Sequence, residues 1–131
     1  MTLLEALIEY GVSHEVLVGD GDDSFRDFMP EAPDNIVVFA EYAGDPVSAY
    51  TDCVHRSVQI KVRGSDAESA RAKAIQLINI FKSQSEDLRV DFTDTLWGQI
   101  YIRQMPFKLS HDESDRIVYC FNLGVTTNIL E

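Results

Sequence analysis

Apolar and polar positions alternate most clearly over residues 56–63, where Val58, Ile60 and Val62 fall on one face of a period-two strand. Ser57, Gln59, Lys61 and Arg63 fall on the other face. The period changes at Gly64. Ser65-Asp66-Ala67-Glu68 then reads as a capping box, with Ser65 at the N-cap and Glu68 three positions in. Beyond it Ala67, Ala70, Ala74, Leu77, Ile78 and Phe81 recur at helical spacing. A strand with one apolar face and a helix with one apolar stripe, joined this closely, must fold back on each other. The rest of the chain supplies partners for that pair.

Residues 2–10 predict a short amphipathic helix, with Thr2 and Glu5 as a second capping box and Leu3, Leu4, Leu7 and Ile8 as its stripe. Gly11 stands where a terminating glycine belongs. Residues 15–18 read as a short strand or an extended piece, and residues 20–33 as a solvated acidic loop pinned by Phe25, Phe28 and Met29. Residues 36–42 form a strand so apolar that both of its faces must be covered. The connector 43–52 is longer than a tight hairpin needs. After a polar break at 83–87, residues 88–92 read as a short strand or an irregular return. Residues 96–105 alternate, with Trp97, Gln99, Tyr101 and Arg103 on one face, and Pro106 ends the strand or marks a bend. The polar segment 111–115 reads as the hairpin turn before a long alternation of Ile117, Tyr119, Phe121, Leu123 and Val125. The predicted order is α-β-β-β-α-β-β over a single domain spanning 1–131. This is an α+β architecture: a mostly antiparallel sheet with helices packed on one face.

Charge narrows the function. Eleven Lys and Arg stand against 22 Asp and Glu, a net charge of −11. Nucleic-acid readers and proteins that dock on anionic membranes draw affinity from basic residues, so both classes are disfavoured. No basic leader precedes an apolar run, and no apolar run reaches membrane-spanning length, which predicts a cytosolic protein.

Candidate chemistry is sparse. Cys53 and Cys120 form no metal or redox motif and read as unpaired thiols of the kind strands bury. Cys53 and His55 share a strand face, as a nucleophile and its base would, yet no third group orients the histidine. His14, His55 and His111 lack metal-ligand spacing. Asp20, Asp22, Ser24 and Glu31 fall at positions 1, 3, 5 and 12 of a calcium loop, but Phe25 occupies the position that needs glycine. Gly19-Asp20-Gly21 precedes aspartates that would repel phosphate. Asp112-Glu113 reads as turn solubility. Trp97 and Tyr101 suit packing better than base stacking, having only Arg103 as a basic neighbour. The expectation is no catalytic residue, no cofactor and no metal.

The segment Pro33-Asp34-Asn35-Ile36-Val37-Val38-Phe39, followed by Tyr42, Gly44 and Pro46, resembles the first strand of phage minor capsid and tail-terminator proteins. In that family, also called tail-to-head joining proteins, a Val-Gln-Val-x-Val-Arg-Gly-like strand leads directly into a helix. Here that strand is Val58-Gln59-Ile60-Lys61-Val62-Arg63-Gly64. Pro106, Asp112-Glu113, Arg116 and Phe121-Asn122-Leu123 continue the likeness to about Thr127, although the acidic stretch at 20–27 has no counterpart in it.

The resemblance implies a non-enzymatic virion protein, made in the host cytoplasm and placed at the tail–head junction. Such proteins form a ring, typically a hexamer, that caps the tail tube and joins it to the head connector. DNA passes through the lumen without specific binding, and an acidic wall would repel passing phosphates. Glu41, Tyr42 and Asp45 are expected near one subunit interface, since unpaired sheet edges and long connectors are natural joints. Lys61 and Arg63, a basic spot on an acidic chain, are expected to meet an acidic neighbouring subunit. A head-completion or connector protein, a monomeric partner-binding α+β domain and a small enzyme with a dispersed site are the alternatives.

Overall fold

The computed structural model describes residues 2–42, 53–85, 90–111 and 115–128, without the side chains of 83–85. The elements in chain order are α1 (Leu3–Ser13), β1 (Ser24–Arg26), β2 (Ile36–Tyr42), β3 (Val54–Gly64), α2 (Ala67–Ser85), β4 (Val90–Asp91), β5 (Trp97–Ile102), β6 (Phe107–His111) and β7 (Ile117–Thr127). The strands form one sheet in the order β1-β2-β3-β7-β5-β4, with β6 also pairing β7. Every pairing between these strands is antiparallel except β1 with β2. The protein is therefore α+β with a mostly antiparallel sheet.

The alternating strand at 56–63 lies at the middle of this order. All of β3 is paired with β7, from Val54 opposite Thr127 to Gly64 opposite Ile117, and β2 covers its other edge. Val58, Ile60 and Val62 enter one core cluster with Val37 and Phe39 of β2, Ile100 of β5, and Phe121, Leu123 and Val125 of β7. Leu3, Leu4, Leu7 and Ile8 of α1 and Ala74, Leu77, Ile78 and Phe81 of α2 join the same cluster. Each large side chain buried this fully contributes about 1.5–3 kcal/mol. Gly64 permits the turn from strand to helix: a Cβ there would sit 2.9 Å from the backbone nitrogen of Ala70. As expected from its composition, β2 is covered on both sides, with Ile36, Val37, Val38 and Phe39 all buried.

The helix ends differ from the sequence expectation by small shifts with clear causes. Thr2 does cap α1, its Oγ1 accepting from the Glu5 N–H at 3.3 Å. The helix runs through Gly11 to Ser13, and Gly11 is needed for space, because a Cβ would lie 2.6 Å from Leu17 Cδ1. The N–H groups of Val16 and Leu17 then turn back to donate to the Gly11 carbonyl at 3.0 and 3.1 Å, with Glu15 at φ 62°. Residues 15–18 are thus the wrap that satisfies the helix end, and not a strand. At α2 the cap is Asp66 and not Ser65: Asp66 Oδ1 accepts from the Ser69 N–H at 2.7 Å. Ser65 instead donates its N–H to Asn35 Oδ1 at 3.1 Å. The helix also continues to Ser85, into the polar segment read as a break.

The backbone and side-chain hydrogen bonds from Ser69 hold the Asp66 carboxyl below its ordinary range. A carboxylate depressed in the folded state adds stability above its unfolded pKa and loses it as pH falls through the lower, folded value. Asp66→Asn keeps the cap but cannot titrate. We expect a smaller loss of stability between about pH 4 and the acid limit for this variant than for the wild type. Chemical unfolding midpoints measured across that range test it.

Two strands escaped the sequence reading. β1 lies within the stretch read as loop and pairs parallel to β2, with Ser24 opposite Val37 and Arg26 opposite Phe39. Asp23 fixes the approach, its carboxylate accepting from the N–H groups of Val18 and Gly19 at 3.0–3.2 Å. Buried Ser24 donates its hydroxyl to the Gly19 carbonyl at 2.7 Å. β6 pairs the N-terminal half of β7 while β5 pairs the C-terminal half, so the partner of β7 changes along its length. Every residue of β6 is exposed, and its period is broken between Lys108 and Ser110. No buried face marks it in the sequence.

Candidate functional site

The face of the sheet opposite the core is built by residues in register across several strands. Tyr42, Ser57, Gly124 and Tyr101 form one row, from β2 through β3 and β7 to β5. Tyr101 lies directly over Gly124, where a Cβ would fall 2.1 Å from its ring. Ser57 is fully buried in the same row, its hydroxyl without a hydrogen-bond partner among the described residues. The next rows place Gln59 beside Asn122, and Lys61 between Val38 and Cys120. Arg103 stacks 5.6 Å above the Tyr101 ring and donates to its hydroxyl at 3.2 Å. Trp97, Gln99 and Tyr101 do share a face, as the alternation predicted.

The expected interface residues divide in this geometry. Glu41 accepts a bidentate pair from buried Arg56, Nε to Oε1 at 2.5 Å and Nη2 to Oε2 at 2.9 Å, so the C-terminal end of β2 is tied to β3. Tyr42 is exposed at the end of β2. Asp45 lies outside the described residues, as do the rest of the connector 43–52 and Asp112-Glu113. Lys61 is half-buried.

Arg63 corrects the expectation of an open basic spot, because only 3% of it is exposed. Its guanidinium donates to the carbonyls of Pro33 at 2.7 Å and of Glu31 and Asp34 at 3.2 Å. Arg116 grips the same loop from β7's approach, donating to the Glu31 carbonyl and lying 3.3 Å from Glu31 Oε2 and 3.4 Å from Asp34 Oδ1. The loop residues 31–35 are themselves exposed; the two buried arginines beneath them find acceptors in its carbonyls.

His55 Nδ1 lies 2.9 Å from Thr126 Oγ1, and Cys53 is exposed rather than buried. Burial pushes the Cys120 thiol above its ordinary range, against weaker opposing effects of Lys61 and Gln59. Such a thiol is a poor nucleophile. Asp20 pairs with Arg26 at 3.0 Å, Ser24 donates its hydroxyl to the Gly19 carbonyl and Glu31 lies 3.3 Å from Arg116, so three of the four calcium-loop positions are spent on structure. His14 packs on Tyr10 at the end of α1, remote in sequence from His55 at the start of β3 and from His111 at the end of β6. Among the described residues no three His, Cys, Asp or Glu side chains converge as a metal site requires.

What the molecule presents instead is surface. β1 covers β2 only from Val37 to Phe39, which leaves the outer edge of 40–42 unpaired among the described strands. Val18, Phe28 and Tyr42 are exposed at this end. On the opposite side of the sheet Trp97, Tyr101, Met105, Phe107 and Leu109 are exposed along β5 and β6. Sequence reading found Tyr42 and Trp97 but missed Met105, Phe107 and Leu109. The available signal was an apolar–polar alternation across Pro106, with Met105, Phe107 and Leu109 on one side of it.

A family model described as bacteriophage tail terminator protein matches residues 12–129. No curated protein matches the chain.

Proposed function

The chain belongs to the bacteriophage tail terminator family, and from that premise we propose that it forms a ring that caps the finished tail tube and joins it to the head connector. It is a structural component of a phage tail; the ring and its two neighbours are the proposal. The match over residues 12–129 carries this reading. It is supported by an edge at 40–42 that has no partner among the described strands and by exposed apolar side chains at both ends of the sheet, the features a protein needs to be held by neighbours. Glu41, Tyr42 and Asp45 are proposed for one joint, at the edge of β2 and the connector that follows. Lys61 is proposed to face a carboxylate of a neighbouring subunit. The protein would act in the virion, at the tail–head junction, after synthesis in the host cytoplasm. Among the described residues no helix is long and apolar enough to cross a membrane.

The net charge of −11 suits a lumen that DNA must traverse without being held. The protein would then bind tubes and connectors through protein contacts while leaving DNA free. Tail tubes assembled without a terminator, mixed with the purified protein and viewed by electron microscopy, are expected to acquire a ring at one end. Lys61→Glu is expected to reduce the capped fraction severalfold while the protein still folds, in keeping with the loss of a partly screened ion pair worth about 0.2–1 kcal/mol at each joint. Tubes that stay uncapped with wild-type protein would overturn the proposal, and tight salt-sensitive DNA binding would overturn the account of the lumen.

A further inference from the structure

Two buried polar atoms on the face of the sheet opposite the core have no hydrogen-bond partner among the described residues. One is Oγ of Ser57 on β3, a residue 0% exposed. The other is Oδ1 of Asn122 on β7, whose Nδ2 donates to Gln104 Oε1. Buried polar groups in folded proteins are nearly always hydrogen-bonded, to protein or to ordered water, and an unmet one costs stability. A hydroxyl that can donate and a carbonyl oxygen that must accept, both unmet on one face, call for a common partner.

Register brings them together. Ser57 lies opposite Gly124 and Gln59 opposite Asn122, so Ser57 and Asn122 are diagonal neighbours on the same face. Such a diagonal spans about 7–8 Å between Cα atoms, and the two side chains do not close it. One water, reaching about 2.8 Å to each side, spans what remains. Gly124 places no side chain of its own in the gap. The Tyr101 ring lies over that glycine instead, its hydroxyl oxygen 2.6 Å from where a Cβ would stand. That oxygen accepts from Arg103 Nη2 at 3.2 Å, and the phenol proton can then donate into the same gap.

We infer that this gap is a binding site for a single water molecule, which accepts from Ser57 Oγ and Tyr101 and donates to Asn122 Oδ1. Three hydrogen bonds are what a buried water typically makes. The water joins β3, β7 and β5 through side chains, across a row whose middle member has none. A direct bond between the Ser57 and Tyr101 hydroxyls is the other way to satisfy the serine, but it leaves Asn122 Oδ1 buried and unmet.

Crystals of the full chain that diffract well enough to show ordered water test the site directly. A water peak within hydrogen-bonding distance of both Ser57 Oγ and Asn122 Oδ1 is expected. Urea unfolding of variants gives a second readout. Ser57→Ala is expected to lower the folding equilibrium constant about fivefold, because the water loses one of its anchors and Asn122 Oδ1 a well-held donor. The sign is diagnostic. Were Ser57 a simple unmet hydroxyl, its removal would leave stability unchanged or raise it. Asn122→Ala is expected to cost more, since it also gives up the bond to Gln104. The double variant is expected to lose less than the product of the two single effects, because both act on the same water. Three results would each overturn the inference: a Ser57→Ala protein as stable as the wild type, single effects that simply multiply, or a structure in which Ser57 bonds directly to Tyr101 or Asn122 with no water between them.

Discussion

Arg63→Glu is expected to leave the chain unfolded or insoluble, whereas Lys61→Glu, two residues earlier on the same strand, is expected to fold normally. Both positions lie on the same face of β3, and in the sequence they are equivalent. In the structure Arg63 is 3% exposed and donates to three main-chain carbonyls of the segment 31–34. Removing the guanidinium in Arg63→Ala deletes three hydrogen bonds from a buried side chain to main-chain carbonyls, at a cost of about 3 kcal/mol. Glutamate would add a buried carboxylate facing those same oxygens, a penalty of several kcal/mol more. Against a total stability of about 5–15 kcal/mol this exhausts the margin or nearly so. Lys61→Glu, half-buried and beside the neutral Cys120, is expected to change stability by about 1 kcal/mol or less. Urea unfolding followed by Trp97 fluorescence measures the difference. An Arg63→Glu protein with a wild-type midpoint would show that the clamp on the loop carries little. The contrast matters for assembly, since a capping defect in an Arg63 variant reports folding, whereas one in a folded Lys61 variant would report the proposed contact with a neighbour.

That pair shows where sequence reading stops. Periodicity located β3, α2, β5 and β7, because each has one face in the core and so repeats its apolar residues at the spacing of its own geometry, while an unbroken apolar run located β2, which is covered on both faces. It could not tell Lys61 from Arg63, since burial on the second face of β3 is decided by a loop thirty residues away in sequence that packs over one and not the other. β1 was hidden because only three residues pair, within a stretch whose aspartates serve turns and an ion pair. β6 was hidden because it has no buried face at all. The same property that concealed β6 from pattern analysis makes it a candidate for contact with another chain. Glu41 was chosen in the sequence for its place near an edge; its grip on Arg56 came from register, which no local pattern records.

Gly98→Ala is expected to destabilise the protein by about 3 kcal/mol, while Gly124→Ala, on the partner strand, is expected to cost less than about 1 kcal/mol. Both glycines interrupt alternating strands, and both lack room for a Cβ: the nearest atom would be 1.9 Å away at Gly98 and 2.1 Å at Gly124. The obstacles differ in kind. At Gly124 the obstacle is the Tyr101 ring, a half-exposed side chain that can swing toward solvent. At Gly98 it is backbone, the Thr126 carbonyl oxygen and carbon and the Thr127 Cα. Those atoms belong to β7, which is paired along this region with β3 as well, Thr126 opposite His55 and Thr127 opposite Val54. β5 is no freer to retreat. Trp97 next to Gly98 donates its N–H to Asn128 Oδ1 at 2.8 Å and accepts from the Asn128 N–H at 3.1 Å. Relief therefore requires β5 to separate from β7 and to carry Ile100 out of the core. For a chain of this length a loss of that size lowers the melting temperature by about 10 °C. Parallel thermal melts of the two alanine variants check the prediction. If Gly98→Ala melts with the wild type, or Gly124→Ala falls further than Gly98→Ala, then the close approach of β5 to β7 is not what fixes the edge on which β6 and its exposed surface are carried.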